Sequence, residues 1–185
     1  MTDLWSEWTD AVRFGDRLDV TAWLEEIGIP YATQQVAGGI GADWILIDAH
    51  GYYRPHPEPD NLPHPRKQQH LALISPCLRA TELVGLCAWN PALPDRYFMR
   101  DSEPGGGLLG HDAVDRALIC DEPLFVHAGP LAWLQAGAYG VALLDWRNPF
   151  RDLGLVRRIM TNDAELARRC RDIAEVRVQE MADAA

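Results

Sequence analysis

The chain has 185 residues, of which 48% are hydrophobic and seven are tryptophan, so it is long enough to bury one substantial core. Its formal net charge of −10 argues against a general nucleic-acid binder, because neutralising phosphates requires clustered Lys and Arg. Four widely spaced cysteines, Cys77, Cys87, Cys120 and Cys170, fit neither a zinc knuckle nor a disulfide-stapled secreted domain.

The beginning of the chain carries no basic segment followed by an apolar one, and no apolar run reaches the ~18 residues that a membrane span needs. We therefore expect a soluble cytoplasmic protein without membrane contact. We expect one domain over residues 1–185, with a helical N-terminal appendage (1–40), an α/β core (41–160) and a C-terminal helix (161–183).

Two helices are predicted in the first third of the chain. Apolar residues recur there at roughly helical spacing: Leu4, Trp5, Trp8, Val12 and Phe14. The stretch DVTAWLEEIGIP predicts a second, short helix that is capped by Asp19 and ends before Pro30. Trp5 and Trp8 lie three residues apart and flank Glu7, which makes them candidate anchors for a partner protein, with burial in the core as the alternative.

The segment DWILID predicts a strand, and a proline-rich loop follows it. Five prolines between Pro55 and Pro65 exclude regular helix and central strand. Around this loop the sequence gathers imidazole and carboxylate groups, of which the candidate metal ligands are Asp48, His50, His56 and His64. These ligands lack the fixed spacing of a preformed site, so we expect no cofactor and keep a divalent metal as the alternative.

Three further strands and a short helix are predicted next. HLALIS and LVGLCAW read as strands separated by PCLRATE, and the turn NPALPD makes LVGLCAW and RYFM an antiparallel hairpin. Arg96 and Arg100 on this hairpin are candidates for binding an anion, with ordinary protective charges on an edge strand as the alternative. HDAVDRALI then predicts a short helix.

The most organised stretch is PLFVHAGPLAWLQAGAYGVALLDW, residues 123–146. Two apolar strands joined by about a dozen residues with a helix predict a right-handed βαβ unit and a parallel pair of strands. The fold class is therefore α/β or α+β, with a mixed sheet. At the carboxyl ends of this pair we expect His127 and Asp145 as candidate catalytic residues and Gly129 as a candidate ligand-binding residue.

This unit resembles the opening of a Toprim domain, the metal-dependent α/β module of bacterial and phage primases and topoisomerases. The resemblance covers about 24 of the 185 residues. In that family the first strand ends in a Glu-Gly pair that does acid–base work, and a later strand ends in an Asp-x-Asp pair that binds magnesium. Here His127 stands where the glutamate would be, and Asp145 has no paired aspartate after it. The resemblance implies a phage or mobile-element protein that has kept the fold and lost the metal site.

The C-terminal region predicts an amphipathic helix. Thr161 or Asn162 is the predicted N-cap, and Glu165 completes a capping box with Asn162. Eight of the 17 basic residues lie between Arg147 and Arg177, which leaves a nucleic-acid contact in this region as an alternative to a solvated helix face.

Three function classes follow from the sequence. A non-catalytic accessory protein that binds another macromolecule, in the first place a protein, fits the acidic charge and the incomplete catalytic set. A metal-dependent hydrolase or nucleotidyl-transfer enzyme related to Toprim proteins would use Asp48, His50, His127 and Asp145. A small-ligand-binding protein would use the carboxyl ends of the two parallel strands, which we call the strand-end edge, without catalysing a reaction. The first class is our expectation; it favours a protein without enzymatic activity and leaves an enzyme as the alternative.

Overall fold

The fold is described from a computed structural model, which defines residues 3–55, 69–100, 107–146 and 153–172. Five helices are labelled in chain order: α1 Leu4–Arg17, α2 Val20–Glu26, α3 Tyr31–Val36, α4 His111–Cys120 and α5 Pro130–Gln135. The strands are β1 Gly41–Ile47, β2 Tyr52–Pro55, β3 Gln69–Arg79, β4 Glu82–Trp89, β5 Tyr97–Arg100, β6 Leu108–Leu109, β7 Leu124–His127, β8 Val141–Leu143 and β9 Ile159–Met160. Residues 164–172 form a further helical segment. Helices and strands are thus mixed, as the α/β class requires.

The first five strands form a closed barrel in the order β1-β2-β5-β4-β3. All neighbouring pairs are antiparallel except β2 and β5, which run parallel, with Tyr53 beside Arg100. The predicted hairpin of LVGLCAW and RYFM is confirmed, because β4 pairs antiparallel with β5. Barrel closure was not predicted, since the pairing of β1 with β3 and of β2 with β5 has no local signature in the sequence.

Helix α1 covers the barrel core. Its Trp8 and Ala11 belong to the same buried cluster as Ile45 of β1 and Ile74 of β3. The helix approaches β1 so closely that a Cβ on Gly41 would lie 2.6 Å from the carbonyl carbon of Ala11. Only glycine fits at that contact. The N-terminal helices therefore pack directly onto the barrel and contribute to its core.

The remaining strands form a second sheet in the order β6-β8-β7-β9. The predicted βαβ unit is confirmed, because β7 and β8 are parallel, with Val126 opposite Val141, and α5 connects them. The apolar cluster that contains Leu109, Trp133 and Leu134 also contains Leu73 and Trp89 of the barrel. The barrel and the second sheet therefore share one apolar core. On another face of the sheet, α4 and the helical segment 164–172 complete a separate cluster.

Strand β2, Tyr52–Pro55, lies at the start of the predicted proline-rich loop, because YYRP pairs with both β1 and β5. Three further local predictions differ from the structure. Strand β3 continues through Pro76 to Arg79, although PCLR was predicted as a connection. β3 pairs with β1 only as far as Ile74, so on that side the missing N–H of Pro76 leaves no ladder bond unmade, while on the other side Pro76 lies opposite Leu86 of β4. Asp19 occupies the N-cap position of α2, but its side chain makes no capping hydrogen bond.

The third difference is the cap of the C-terminal helix. The Leu166 N–H donates to Oδ1 of Asp163 at 2.8 Å, so Asp163 is the cap and not Thr161 or Asn162. Thr161 Oγ1 accepts a hydrogen bond from the Asp163 N–H at 3.2 Å instead. The apolar face of the predicted amphipathic helix is buried at Leu166 and Cys170, and the continuation of the helix beyond residue 172 lies outside the described residues.

Candidate functional site

The carboxyl ends of β7 and β8 hold the residues that the sequence nominates for catalysis. The His127 ring Nε2 lies 2.8 Å from the carbonyl oxygen of Tyr139, on the turn that precedes β8. Asp145 follows β8, and its backbone N–H donates to the Gly107 carbonyl at 3.2 Å. His127 therefore contacts the segment just before β8, whereas Asp145 lies two residues after the last residue of that strand.

Gly129 is buried against the barrel, beside the connection between β4 and β5. A Cβ on this residue would sit 3.3 Å from the ring of Tyr97 and 3.4 Å from the Pro94 carbonyl oxygen, so the β4–β5 connection covers it. The hydroxyl of Tyr97 donates to the carbonyl of Leu143 at 3.5 Å. Burial raises the pKa of this hydroxyl above its ordinary value. The barrel thus occupies part of the space in which a ligand would contact Gly129.

The two arginines of the predicted hairpin, which are the candidate anion-binding residues, have different environments in the structure. Arg100 Nε donates to Glu7 Oε2 at 3.0 Å, and both side chains are largely buried at 17% and 4% exposure. Arg96 lies in the connection before β5 and is exposed. Arg100 therefore joins the barrel to α1, and Arg96 alone faces solvent.

The Arg100 ion pair belongs to a buried polar cluster with Tyr53. Burial, followed by the negative charge of Glu7, raises the pKa of the Tyr53 hydroxyl well above its ordinary value. Oε1 of Glu7 and the hydroxyl of Tyr53 are both buried, and neither has a well-aligned hydrogen-bond partner among the described residues. The cluster thus links α1 to the barrel through the Glu7–Arg100 ion pair and leaves two buried polar atoms without a well-aligned partner.

The metal candidates are only partly within the described residues. Oδ1 of Asp48 accepts hydrogen bonds from the backbone of His50 at 2.8 Å and of Tyr52 at 3.0 Å. The bond from Tyr52, the largest contribution, lowers the pKa of Asp48. Asp48 thus shapes the turn between β1 and β2. His56 and His64 lie outside the described residues, and among the residues that are described no three His, Cys, Asp or Glu side chains form a metal-binding group.

The two tryptophans of α1 have different environments. Trp8 is 8% exposed and packs in the barrel core, whereas Trp5 is 48% exposed. Because an anchor must reach its partner, only Trp5 has the accessibility that the predicted role needs.

An apolar groove on the outside of the barrel, which we call the barrel groove, was not predicted. It has a volume of about 430 Å³ and lies between the α1–α2 corner and strands β1, β3 and β4. Its exposed rim contains Leu18, Trp23 and Leu71, and its buried floor contains Ala42, Leu73 and Trp89.

The apolar surface extends beyond the groove. Trp44 is 44% exposed and lies directly opposite Leu71 in the β1–β3 pairing. Cross-strand neighbours lie on the same face of a sheet, so the two side chains form one apolar surface. Trp44 was predicted in a strand, but the sequence did not show which face of that strand meets solvent.

No family model, curated protein or solved structure matches the chain. The Toprim resemblance therefore stays a prediction. Within the described residues no helix is both long and apolar enough to cross a membrane. The barrel groove thus presents open apolar area, whereas His127 at the strand-end edge is already hydrogen-bonded.

Proposed function

We propose that the protein is a non-catalytic accessory protein that binds another protein through the barrel groove. The observation that carries this proposal is the exposure of four large apolar side chains on one side of the barrel: Leu18 at 45%, Trp23 at 40%, Trp44 at 44% and Leu71 at 42%. Scattered exposed apolar residues are normal on a monomer, but adjoining ones around a groove are typical of interaction surfaces.

The floor of the groove supports the same proposal. Trp89 is 2% exposed, and its indole Nε1 donates to the hydroxyl of Ser75 at 2.9 Å. A floor fixed in this way loses little side-chain entropy when a partner docks, so more of the burial energy contributes to affinity. Tryptophan is also enriched among the residues that dominate binding energy at protein interfaces.

The two other function classes have less structural support. The hydrolase hypothesis needs Asp48, His50, His127 and Asp145 to act together. Asp48 and His50 lie in the β1–β2 turn of the barrel, whereas His127 and Asp145 belong to the second sheet. The small-ligand hypothesis uses Gly129, which Tyr97 and Pro94 cover. The cytoplasmic location and the origin in a phage or other mobile element stay predictions from the sequence.

Quantitative affinity purification from the native host tests the proposal. The bait proteins are the wild type, Trp23→Ala, Leu71→Ala and Trp5→Ala, with Ile119→Ala as the matched control because Ile119 is 83% exposed on α4. We expect both groove variants to lose the same partner, by about 30-fold if Trp23 contributes about 2 kcal/mol, while Ile119→Ala retains it.

Two results would contradict the proposal. If all partners are retained by both groove variants, the groove is not the binding surface. If Trp5→Ala alone loses the partner, binding lies on the exposed face of α1, where the sequence first placed it. Thermal unfolding of each bait protein shows whether a loss of binding reflects a loss of folded protein.

A further inference from the structure

We propose that the occupant of the barrel groove is a basic amphipathic helix of the partner protein. This inference rests on the proposed function and adds the chemical class of the partner. Three features of the described residues carry it: the pairing of the groove strands, the shape and apolar character of the groove, and the charges around its rim.

Strand pairing limits one docking mode at this surface. At Leu73, β3 is paired with β1 on one side and with β4 on the other, and the backbone of Ala42 on β1 lies against Gly15 of α1. Among the described residues, the groove edge without a strand partner is therefore the short stretch of β3 at Gln69–Ala72. An extended peptide that adds a strand to a sheet requires such an edge, and a short edge offers it few backbone hydrogen bonds. The partner therefore docks mainly through its side chains.

A helix satisfies this requirement. An amphipathic helix presents apolar side chains at positions i, i+3, i+4 and i+7 along one face, and it satisfies its own backbone hydrogen bonds. The groove combines a buried floor at Leu73 and Trp89 with a raised apolar rim at Leu18 and Trp23. This arrangement suits a row of apolar side chains inserted from one helix face.

The rim charges favour a basic partner. Asp16 and Asp19 lie on either side of Leu18 in the sequence, and Glu26 lies three residues after Trp23, on the same face of α2. All three carboxylates are exposed, and none has an ion-pair partner within 4.0 Å among the described residues. Arg17 is the basic residue between them. Asp19 lies between Leu18 and Val20, which both line the groove, so three carboxylates against one guanidinium leave an excess of negative charge beside it. Lys or Arg beside the apolar face of a helix would complement this charge.

Fluorescence anisotropy with designed peptides tests the inference. The probe is a labelled helix of about 18 residues with a leucine face and a lysine face. The first comparison peptide has glutamate in place of lysine, and the second has the same composition as the probe in a scrambled order without an apolar face. We expect the basic amphipathic helix to bind at least tenfold more tightly than either comparison peptide.

Variants separate the apolar and the charged contributions. Trp23→Ala should weaken binding of the basic helix by about 30-fold, as expected for loss of an interface anchor. The double variant Asp19→Asn/Glu26→Gln should weaken binding several-fold and reduce its dependence on salt, because exposed charges act through a screened field. Asn tolerates the positive φ of 52° at position 19 as Asp does, and Ile119→Ala is the control that should bind like the wild type.

The possible failures are distinguishable. Equal binding of the acidic and basic helices, lost in Trp23→Ala, would overturn the charge assignment and leave the proposed function in place. Absence of peptide binding, together with a groove-dependent partner in the host, would overturn the helix and keep the groove as a protein-binding surface. Absence of both would overturn the inference and the proposed function together.

Two other occupants would also overturn the inference. Sedimentation showing a dimer of the wild type that dissociates in Trp23→Ala would assign the groove to a second copy of the chain. Flotation with phosphatidylcholine vesicles, lost in the same variant, would assign it to a lipid surface.

Discussion

The barrel groove and the strand-end edge of the second sheet differ in what their side chains already contact. At the strand-end edge, His127 meets the carbonyl of Tyr139, and Gly129 lies beneath Tyr97. At the barrel groove, Leu18, Trp23 and Leu71 remain about half as accessible as in an open chain. The polar candidate residue His127 thus already contacts its own chain, whereas the apolar side chains of the barrel groove are exposed to solvent.

This difference shows why residue type is a weak guide to function in this chain. Histidine and aspartate at a strand end suggest a site because ligands commonly bind there in α/β sheets. In this protein the barrel packs against that region through Tyr97 and Pro94. The partner surface that we propose lies instead where the barrel leaves one sheet face uncovered.

The largest expected effect concerns the buried ion pair beneath α1. Arg100→Met leaves the carboxylate of Glu7 buried without its partner, and we expect a loss of about 3 kcal/mol in the free energy of unfolding. Urea denaturation of the variant and the wild type measures it. Since α1 leads directly into the Leu18 rim, the same variant should also weaken binding at the groove.

The double variant Glu7→Leu/Arg100→Met is the control for this prediction. It removes both charges, so we expect it to regain most of the lost stability. A single Arg100→Met variant as stable as the wild type would show that the pair does not hold α1 on the barrel.

A pair of glycines tests the packing of the second sheet. Gly137 and Gly140 have nearly the same positive φ, 75° and 76°, but a Cβ on Gly140 would collide with the carbonyl oxygen of Phe125, whereas a Cβ on Gly137 meets open space. Gly137→Ala should cost about 1 kcal/mol from backbone strain alone, and Gly140→Ala should cost at least about 2 kcal/mol. Equal losses in denaturant titrations would contradict the close contact between β7 and the turn before β8.

The barrel should also lose stability in alkali. The pKa of Tyr53 is raised, so its hydroxyl stays protonated in the folded state while the unfolded chain releases its proton above pH ~10. This contribution to stability is fully present below pH ~10 and is lost as the pH rises further, by at most about 1.4 kcal/mol per pH unit. Tyr53→Phe should show a shallower decline in chemical denaturation between pH 9 and 11, and an unchanged slope would contradict the burial of the hydroxyl.

The smallest expected effect is at the strand-end edge. His127→Ala removes one exposed hydrogen bond and should cost about 1 kcal/mol in thermal or urea unfolding. Binding of the basic helix at the groove should not change. A variant with wild-type stability and no function in the host would show that the strand-end edge is a working site.

Local features of the fold could be predicted from the sequence, and pairings between distant segments could not. The βαβ unit follows from two short apolar runs on either side of a helix, and the β4–β5 hairpin follows from the turn NPALPD. The parallel contact of Tyr53 with Arg100 joins strands more than 40 residues apart, and no local pattern specifies it. Pro76 predicts the end of a strand, since proline has no N–H to donate. That Pro76 has no β1 partner is visible only in the observed register.

The candidate site was harder to predict than the fold for a related reason. Trp8, Trp23 and Trp44 are equally apolar, but the first is buried and the other two are exposed. Which of them reaches solvent depends on how α1 and α2 pack on the closed barrel. Of the two tryptophans that the sequence nominates as anchors, only Trp5 is accessible, and its role as an anchor stays a prediction.

Site-specific photo-cross-linking in the native host tests the central claim most directly. A photoreactive amino acid replaces Leu71 at the barrel groove in one strain and His127 at the strand-end edge in another. The proposed function predicts that a partner protein is cross-linked from position 71, that excess unlabelled wild-type protein competes with this product, and that position 127 gives none. A specific, competable product from position 127 and none from position 71 would contradict it.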